Sequence, residues 1–115
     1  MSVIIFHNPR CSKSRQALEI LKNRDIEPEI VEYLKDGPSE EDIKIILELL
    51  GVSIKDILRK KDAIYKEAGF DNDDLSDDQL IKLASDNPSV IERPIVINGD
   101  KAAIGRPPES ILEIL

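Results

Sequence analysis

The chain has no tryptophan, one cysteine and one histidine, and aromatic residues make up only 3% of its 115 positions. One cysteine closes no internal disulfide, so nothing calls for an oxidising compartment. With so few aromatics the core must be aliphatic, and at 41% hydrophobic there is enough for one domain of ordinary size. No apolar run approaches the roughly 20 residues of a membrane span. No basic stretch followed by a long apolar segment opens the chain, so no secretory leader is read there. Basic residues are the minority, and a net charge of −7 argues against nucleic acid as the primary partner, which would need a basic face. The expectation is a soluble, cytoplasmic, single-domain protein of residues 1–115, with no membrane partner, no metal and no bound cofactor.

What charge there is falls in blocks. Acid gathers in "DGPSEED" and "DNDDLSDD". Base gathers around Cys11, in "LRKK" (58–61), and singly at Arg93 and Arg106. The single cysteine and the single histidine share one segment, "HNPRCSKS", His7 to Ser14. A basic pocket on an acidic body is compatible with this layout.

Hydrophobic periodicity orders the chain. "VIIF" (3–6) is short and continuously apolar and reads as a buried central strand. A helix follows from Ser12 or Lys13 to about Arg24, with Ala17, Leu18 and Leu21 on one face. "EIVEYL" (29–34) is a second strand, which makes a parallel βαβ unit. Ser39 with Asp42, and Ser76 with Gln79, open two amphipathic helices by capping-box spacing, and "SIKDIL" begins a shorter one after Ser53. Their apolar faces are Ile43, Ile46, Leu47 and Leu50 in the first, and Leu80, Leu83 and Ala84 in the second. "PIVI" (94–97) and "KAAI" (101–104) flank Asn-Gly, a strong hairpin signal. "RPPESILEIL" then starts a last helix with Ile111, Leu112 and Leu115 on one face. The order βαβ, helical insert at about 39–90, ββα fits a thioredoxin-like α/β domain with one mixed four-stranded sheet.

A lone cysteine is often only a small buried hydrophobe. Cys11 stands instead between a central strand and a helix start, at the carboxyl end of the strand, where open α/β sheets place their sites. Free N–H groups at a helix start favour an anion, and Arg10, Lys13 and Arg15 bring positive charge. An unperturbed thiol, pKa about 8.5, is a few per cent thiolate at neutral pH; such surroundings make it largely nucleophilic and also suit an oxyanion. His7 reads as a residue that orients the cysteine loop more than as a general base. Asn8 and Pro9 read as turn formers. Ser12 and Ser14 are either helix caps or hydroxyl donors to the thiolate or a bound oxyanion. Ser14 occupies the second position of a C-x-x-C pair, so the site is monothiol. Arg93 before Pro94 faces the helix-1 loop in a thioredoxin-like sheet, and a guanidinium there offers forked donors to an oxyanion.

"HNPRCSKSRQALEIL", "LLGVSIKDILRK", "LSDDQLI" and "RPIVINGDKAAIGRP", in this order, resemble the glutaredoxin-coupled arsenate reductase family. The resemblance implies that Cys11 is the nucleophile, with His7 its neighbouring histidine. Arg59, Arg93 and Arg106 match the family's three arginines, and Pro94 its cis proline. It implies arsenate or a similar oxyanion as substrate, glutathione as cosubstrate and glutaredoxin as partner. A thiol–arsenate ester forms, glutathione releases arsenite, and glutaredoxin reduces the mixed disulfide. Two departures stand out. The chain ends at Leu115, short of the longer tail of well-characterised arsenate reductases, and Arg10 and Lys13 add bulk and charge to the loop. Two other readings of the same fold are a glutathione-linked reductase of another substrate and a noncatalytic transcription regulator. The regulators of this fold usually carry C-x-x-C, and a regulator needs no oxyanion pocket, so the monothiol and the three arginines favour the enzyme.

Overall fold

The structure is a computed structural model and describes residues 3–115. Two compact units are present. One combines the residues up to Asp36 with Arg93–Leu115; the other is Gly37–Glu92.

The first unit holds the sheet. Its elements are β1 (Val3–His7), α1 (Ser12–Asn23), β2 (Glu29–Glu32), a single helical turn α2 (Tyr33–Asp36), β3 (Ile95–Asn98), β4 (Lys101–Ile104) and a closing 3-10 segment, Pro108–Ile114. The strand order is β2-β1-β3-β4. β1 runs parallel to β2 and antiparallel to β3, and β3 pairs antiparallel with β4. This is the four-stranded mixed sheet expected of a thioredoxin-like fold.

β1 is central, as its β-branched run demands, but its burial alternates. Val3, Ile5 and His7 are buried while Ile4 and Phe6 are half-buried. Val3 and Ile5 join Ala17 and Leu21 of α1, Val96 of β3 and Ile111 in one aliphatic core. β2 is shorter than "EIVEYL" suggested. The last rung of its ladder is His7↔Glu32, where β1 itself ends, so Tyr33 has no strand partner and the chain turns into α2. β3 begins at Ile95, one residue after Pro94, which has no N–H to donate to a ladder. Its hairpin closes through Gly99 at φ 63°, a left-handed conformation that glycine adopts freely.

The carboxyl segment is a 3-10 helix, not the α-helix expected. At three residues per turn Ile111 and Ile114 share a face and meet the core, and Leu112 turns outward, 42% exposed. Of the expected face, Ile111 and Leu115 do meet the core, and Leu112 is corrected to the outer side.

The second unit contains α3 (Glu40–Leu50), a 3-10 turn (Ile54–Ile57), α4 (Ala63–Glu67), α5 (Asp77–Asp86) and a further 3-10 turn (Pro88–Val90). The Ser39–Asp42 and Ser76–Gln79 capping boxes both form. α5 buries Leu80, Ile81 and Ala84, with Leu83 only half-buried, so its inward face is rotated towards Ile81. α4 carried no periodic signal because it is a single turn, and it is held by Asp62, whose Oδ1 accepts from the Ile64 N–H at 2.9 Å. Among the described residues no helix is long and apolar enough to cross a membrane.

Candidate active site

The segment from His7 to Arg15 is tied down by its own polar groups. The N–H of Cys11 donates to the Asn8 carbonyl at 3.0 Å, and the N–H of Arg10 donates to Asn8 Oδ1 at 3.0 Å. The Asn8 N–H donates to Ser14 Oγ at 3.0 Å. Arg15 Nη1 donates to the Pro9 carbonyl at 2.9 Å, and its N–H to the Cys11 carbonyl at 3.0 Å. Asn8 is buried and forms the side-chain-closed turn that its residue type favours. The outcome is that Cys11 is the residue immediately before α1, in extended backbone conformation and half-buried.

His7 ends β1 and is buried. Its Nδ1 lies 2.6 Å from Ser14 Oγ. Burial holds its pKa below the ordinary value, with Glu32 pulling upward and Arg15 and Lys22 adding to the depression. The imidazole pairs with the Ser14 hydroxyl through Nδ1, its tautomer deciding which of the two donates, and Ser14 Oγ also accepts the Asn8 N–H. Ser14 is fully buried, so its hydroxyl serves His7 and the loop and not the sulfur. Ser12, in the first turn of α1, is exposed.

The thiol of Cys11 is pulled both ways. Burial pushes its pKa up, but the Ser14 N–H, the Arg93 guanidinium and the Lys13 N–H outweigh burial, and the charge of Arg93 adds to them, so the net shift is downward. The two amides act over a longer reach than a formed cap hydrogen bond, which the Cys11 side chain does not make. Arg106 Nη2 stands 3.8 Å from Sγ, a long donor contact to sulfur. The charge that lowers the thiol therefore comes from Arg93, far along the chain, and not from neighbouring Arg10, Lys13 or Arg15. Sequence proximity suggested those three, but Arg15 is turned onto the Pro9 carbonyl.

Arg93 and Arg106 are themselves linked: Arg106 Nε donates to the Arg93 carbonyl at 2.9 Å. Each precedes a cis proline, Arg93–Pro94 as expected and Arg106–Pro107 in addition. Between them sits a residue that sequence reasoning passed over. The Gly105 N–H donates to the Pro94 carbonyl at 2.8 Å, and a Cβ built on Gly105 would come within 2.7 Å of Pro94 Cγ. The signal was available in the glycine directly after a strand in "IGRP".

Arg59 belongs to the Gly37–Glu92 unit. It is half-buried, follows the Leu58↔Ile91 bridge, and Nη1 lies 3.8 Å from Asp62 Oδ2. Of the residues singled out from the sequence, Cys11, Arg93 and Arg106 are thus brought together, with His7 and Ser14 supporting the loop beneath.

A thioredoxin-like sheet carrying one thiol with a depressed pKa, an arginine contact on its sulfur and no second cysteine defines a monothiol thioredoxin-like protein. The chain belongs to the ArsC family, whose model matches residues 6–114. It is 52% identical to the arsenate reductase of Haemophilus influenzae over the whole of both chains. It is 48% identical to the arsenate reductase of Neisseria meningitidis serogroup A, over 96% of each. A solved structure, the arsenate reductase from Vibrio cholerae, superposes with a TM-score of 0.96 at 45% identity, covering 100% of this chain and 98% of that one.

Proposed function

We propose that this protein is an arsenate reductase that uses glutathione and glutaredoxin. The observation that carries the reading is the Arg106 Nη2 contact at 3.8 Å from the Cys11 sulfur, on a thiol whose pKa Arg93 helps to lower. The same guanidiniums that favour a thiolate favour an oxyanion bound against it. The Cys11 thiolate attacks the arsenic of arsenate, a sulfur–arsenic bond forms, and one arsenate oxygen leaves as water. A glutathione thiolate then attacks the Cys11 sulfur. The sulfur–arsenic bond breaks with its electron pair staying on arsenic, so arsenate becomes arsenite and the two sulfurs become a mixed disulfide. Glutaredoxin reduces that disulfide by thiol exchange. Arg93 and Arg106 hold the oxyanion and offset the charge that develops on its oxygens. Arg59 is assigned the same role from its place in "LRK".

The cysteine count supports the donor. A two-electron reduction by one thiol needs a second thiol from outside, and Cys11 is the only cysteine. Purified protein is assayed with arsenate plus either glutathione and glutaredoxin, or thioredoxin as sole thiol source. Turnover is expected only with the first pair, and intact-mass analysis of stalled enzyme should find glutathione on Cys11. Sustained turnover with thioredoxin alone overturns the donor assignment, and no turnover with either overturns the substrate.

A further inference from the structure

We propose that Gly105 is a positioning residue for the arginine pair at Cys11: having no side chain, it lets the end of β4 close onto Pro94, and this contact sets where Arg93 and Arg106 stand. The inference rests on the reading of Cys11 as nucleophile, but its first readout needs no arsenate.

Gly105 follows β4 and Pro94 precedes β3, so the two face one another just beyond the Ile95↔Ile104 rung of the hairpin. The Gly105 N–H to Pro94 carbonyl bond at 2.8 Å extends the ladder by one step. A Cβ at Gly105 would lie 2.7 Å from Pro94 Cγ, 3.3 Å from Pro94 Cδ and 3.5 Å from Ala17 Cβ. The last is ordinary contact and the first is overlap. The proline ring cannot swing away as a long flexible side chain would, and Pro94 and Gly105 are both buried. Relief therefore moves backbone, either at Pro94 or at Gly105. Arg93 is bonded to the first and Arg106 to the second. Their mutual link, Arg106 Nε to the Arg93 carbonyl at 2.9 Å, spans the same junction, so either movement alters it. The Arg106 contact to Sγ, already at 3.8 Å, has no slack to absorb a shift. A Cβ at Gly105 would also meet Ala17 of α1, the helix that begins directly after Cys11, so the space left by the missing side chain faces the helix that presents the thiol. Its φ is not in the left-handed range, so close approach and not backbone freedom accounts for glycine here.

The test compares Gly105→Ala with Leu21→Ala, a cavity variant in the same core. Iodoacetamide alkylation of Cys11 against pH, thermal unfolding, and arsenate turnover with glutathione and glutaredoxin are measured on both. Both variants should melt earlier than the parent. Only Gly105→Ala should move the alkylation midpoint upward and lose at least about tenfold in kcat/KM, as displaced catalytic groups do. A Gly105→Ala protein that melts early yet keeps the parent alkylation profile overturns the proposal and makes the glycine merely structural. If that variant does not fold, Gly105→Ala is read in a Pro94→Ala background, where no ring atom meets the added methyl group. A midpoint equal to that of Pro94→Ala alone supports the proposal, and a further upward shift overturns it. A parent without arsenate turnover refutes the substrate assignment and leaves the alkylation comparison able to decide the role of Gly105.

Discussion

Ser14 Oγ and His7 Nδ1 lie 2.6 Å apart in the buried floor of the cysteine loop, and the same Oγ accepts the Asn8 N–H. One hydroxyl thus satisfies two groups that have no water to turn to. Ser14→Ala strands both. An unsatisfied buried polar group costs about 1–3 kcal/mol, and urea unfolding should show a loss in that range. A loss below about 0.5 kcal/mol would mean that the imidazole and the amide find other partners.

His7 makes stability depend on pH with a defined sign. Its folded pKa is held below the ordinary 6.5, first by burial. As pH falls through 6.5 the unfolded chain takes up a proton before the folded one does. Stability is then full above the unfolded value and declines as pH drops towards the depressed folded value. His7→Gln should flatten that part of the profile, measured as midpoints of urea unfolding between pH 5 and pH 8. A variant with the parent slope would locate the titrating group elsewhere.

Cys11 should be alkylated at pH values where ordinary thiols are inert. Its pKa is lowered against the upward push of burial by the Ser14 amide, Arg93 and the Lys13 amide, so the rate of iodoacetamide capture should reach half its maximum below the free-cysteine value of about 8.5. Arg93→Ala should raise that midpoint. A midpoint at or above the free value would make Cys11 an inert thiol.

Oxyanion binding should separate the two arginines. In a Cys11→Ser background that blocks chemistry, calorimetry with arsenate should show Arg93→Ala losing binding on the scale of a charged hydrogen bond, about 1.5–3 kcal/mol. Arg106 is exposed, so solvent screening should bring its loss nearer the lower end. Parent affinity in both variants would put the oxyanion elsewhere, and Arg59→Ala reports on the third arginine in the same titration.

Much of this site is legible in the sequence where residues act on near neighbours. The capping boxes at Ser39 and Ser76, the start of α1 after Cys11 and the Asn8 turn each depend on contacts within a few positions. What was hidden depends on pairing across the chain. Adjacency points to Arg10, Lys13 and Arg15 for the charge at Cys11, whereas the structure supplies it from Arg93. Gly105 gives no local sign of its reason, because the ring of Pro94 lies across a hairpin. The strand at Glu29 reads longer in the sequence than it is, because its length is set by where β1 ends. The final segment reads as a regular helix because nothing local separates a 3-10 turn from an α-helix over seven residues.

The β1–β3 pairing has a consequence for the order in which the molecule is made. Cys11 and Arg106 are 95 positions apart, and Arg93 and Arg106 reach the thiol only once β3 has joined β1. A growing chain therefore carries its cysteine from the start while the two arginines that come to stand at it are still to be synthesised. During that interval only the local amides of Ser14 and Lys13 are at hand to favour the thiolate. The arginine share is added in the last stage of synthesis, when the long-range ladder closes, and such non-local pairings close late in folding.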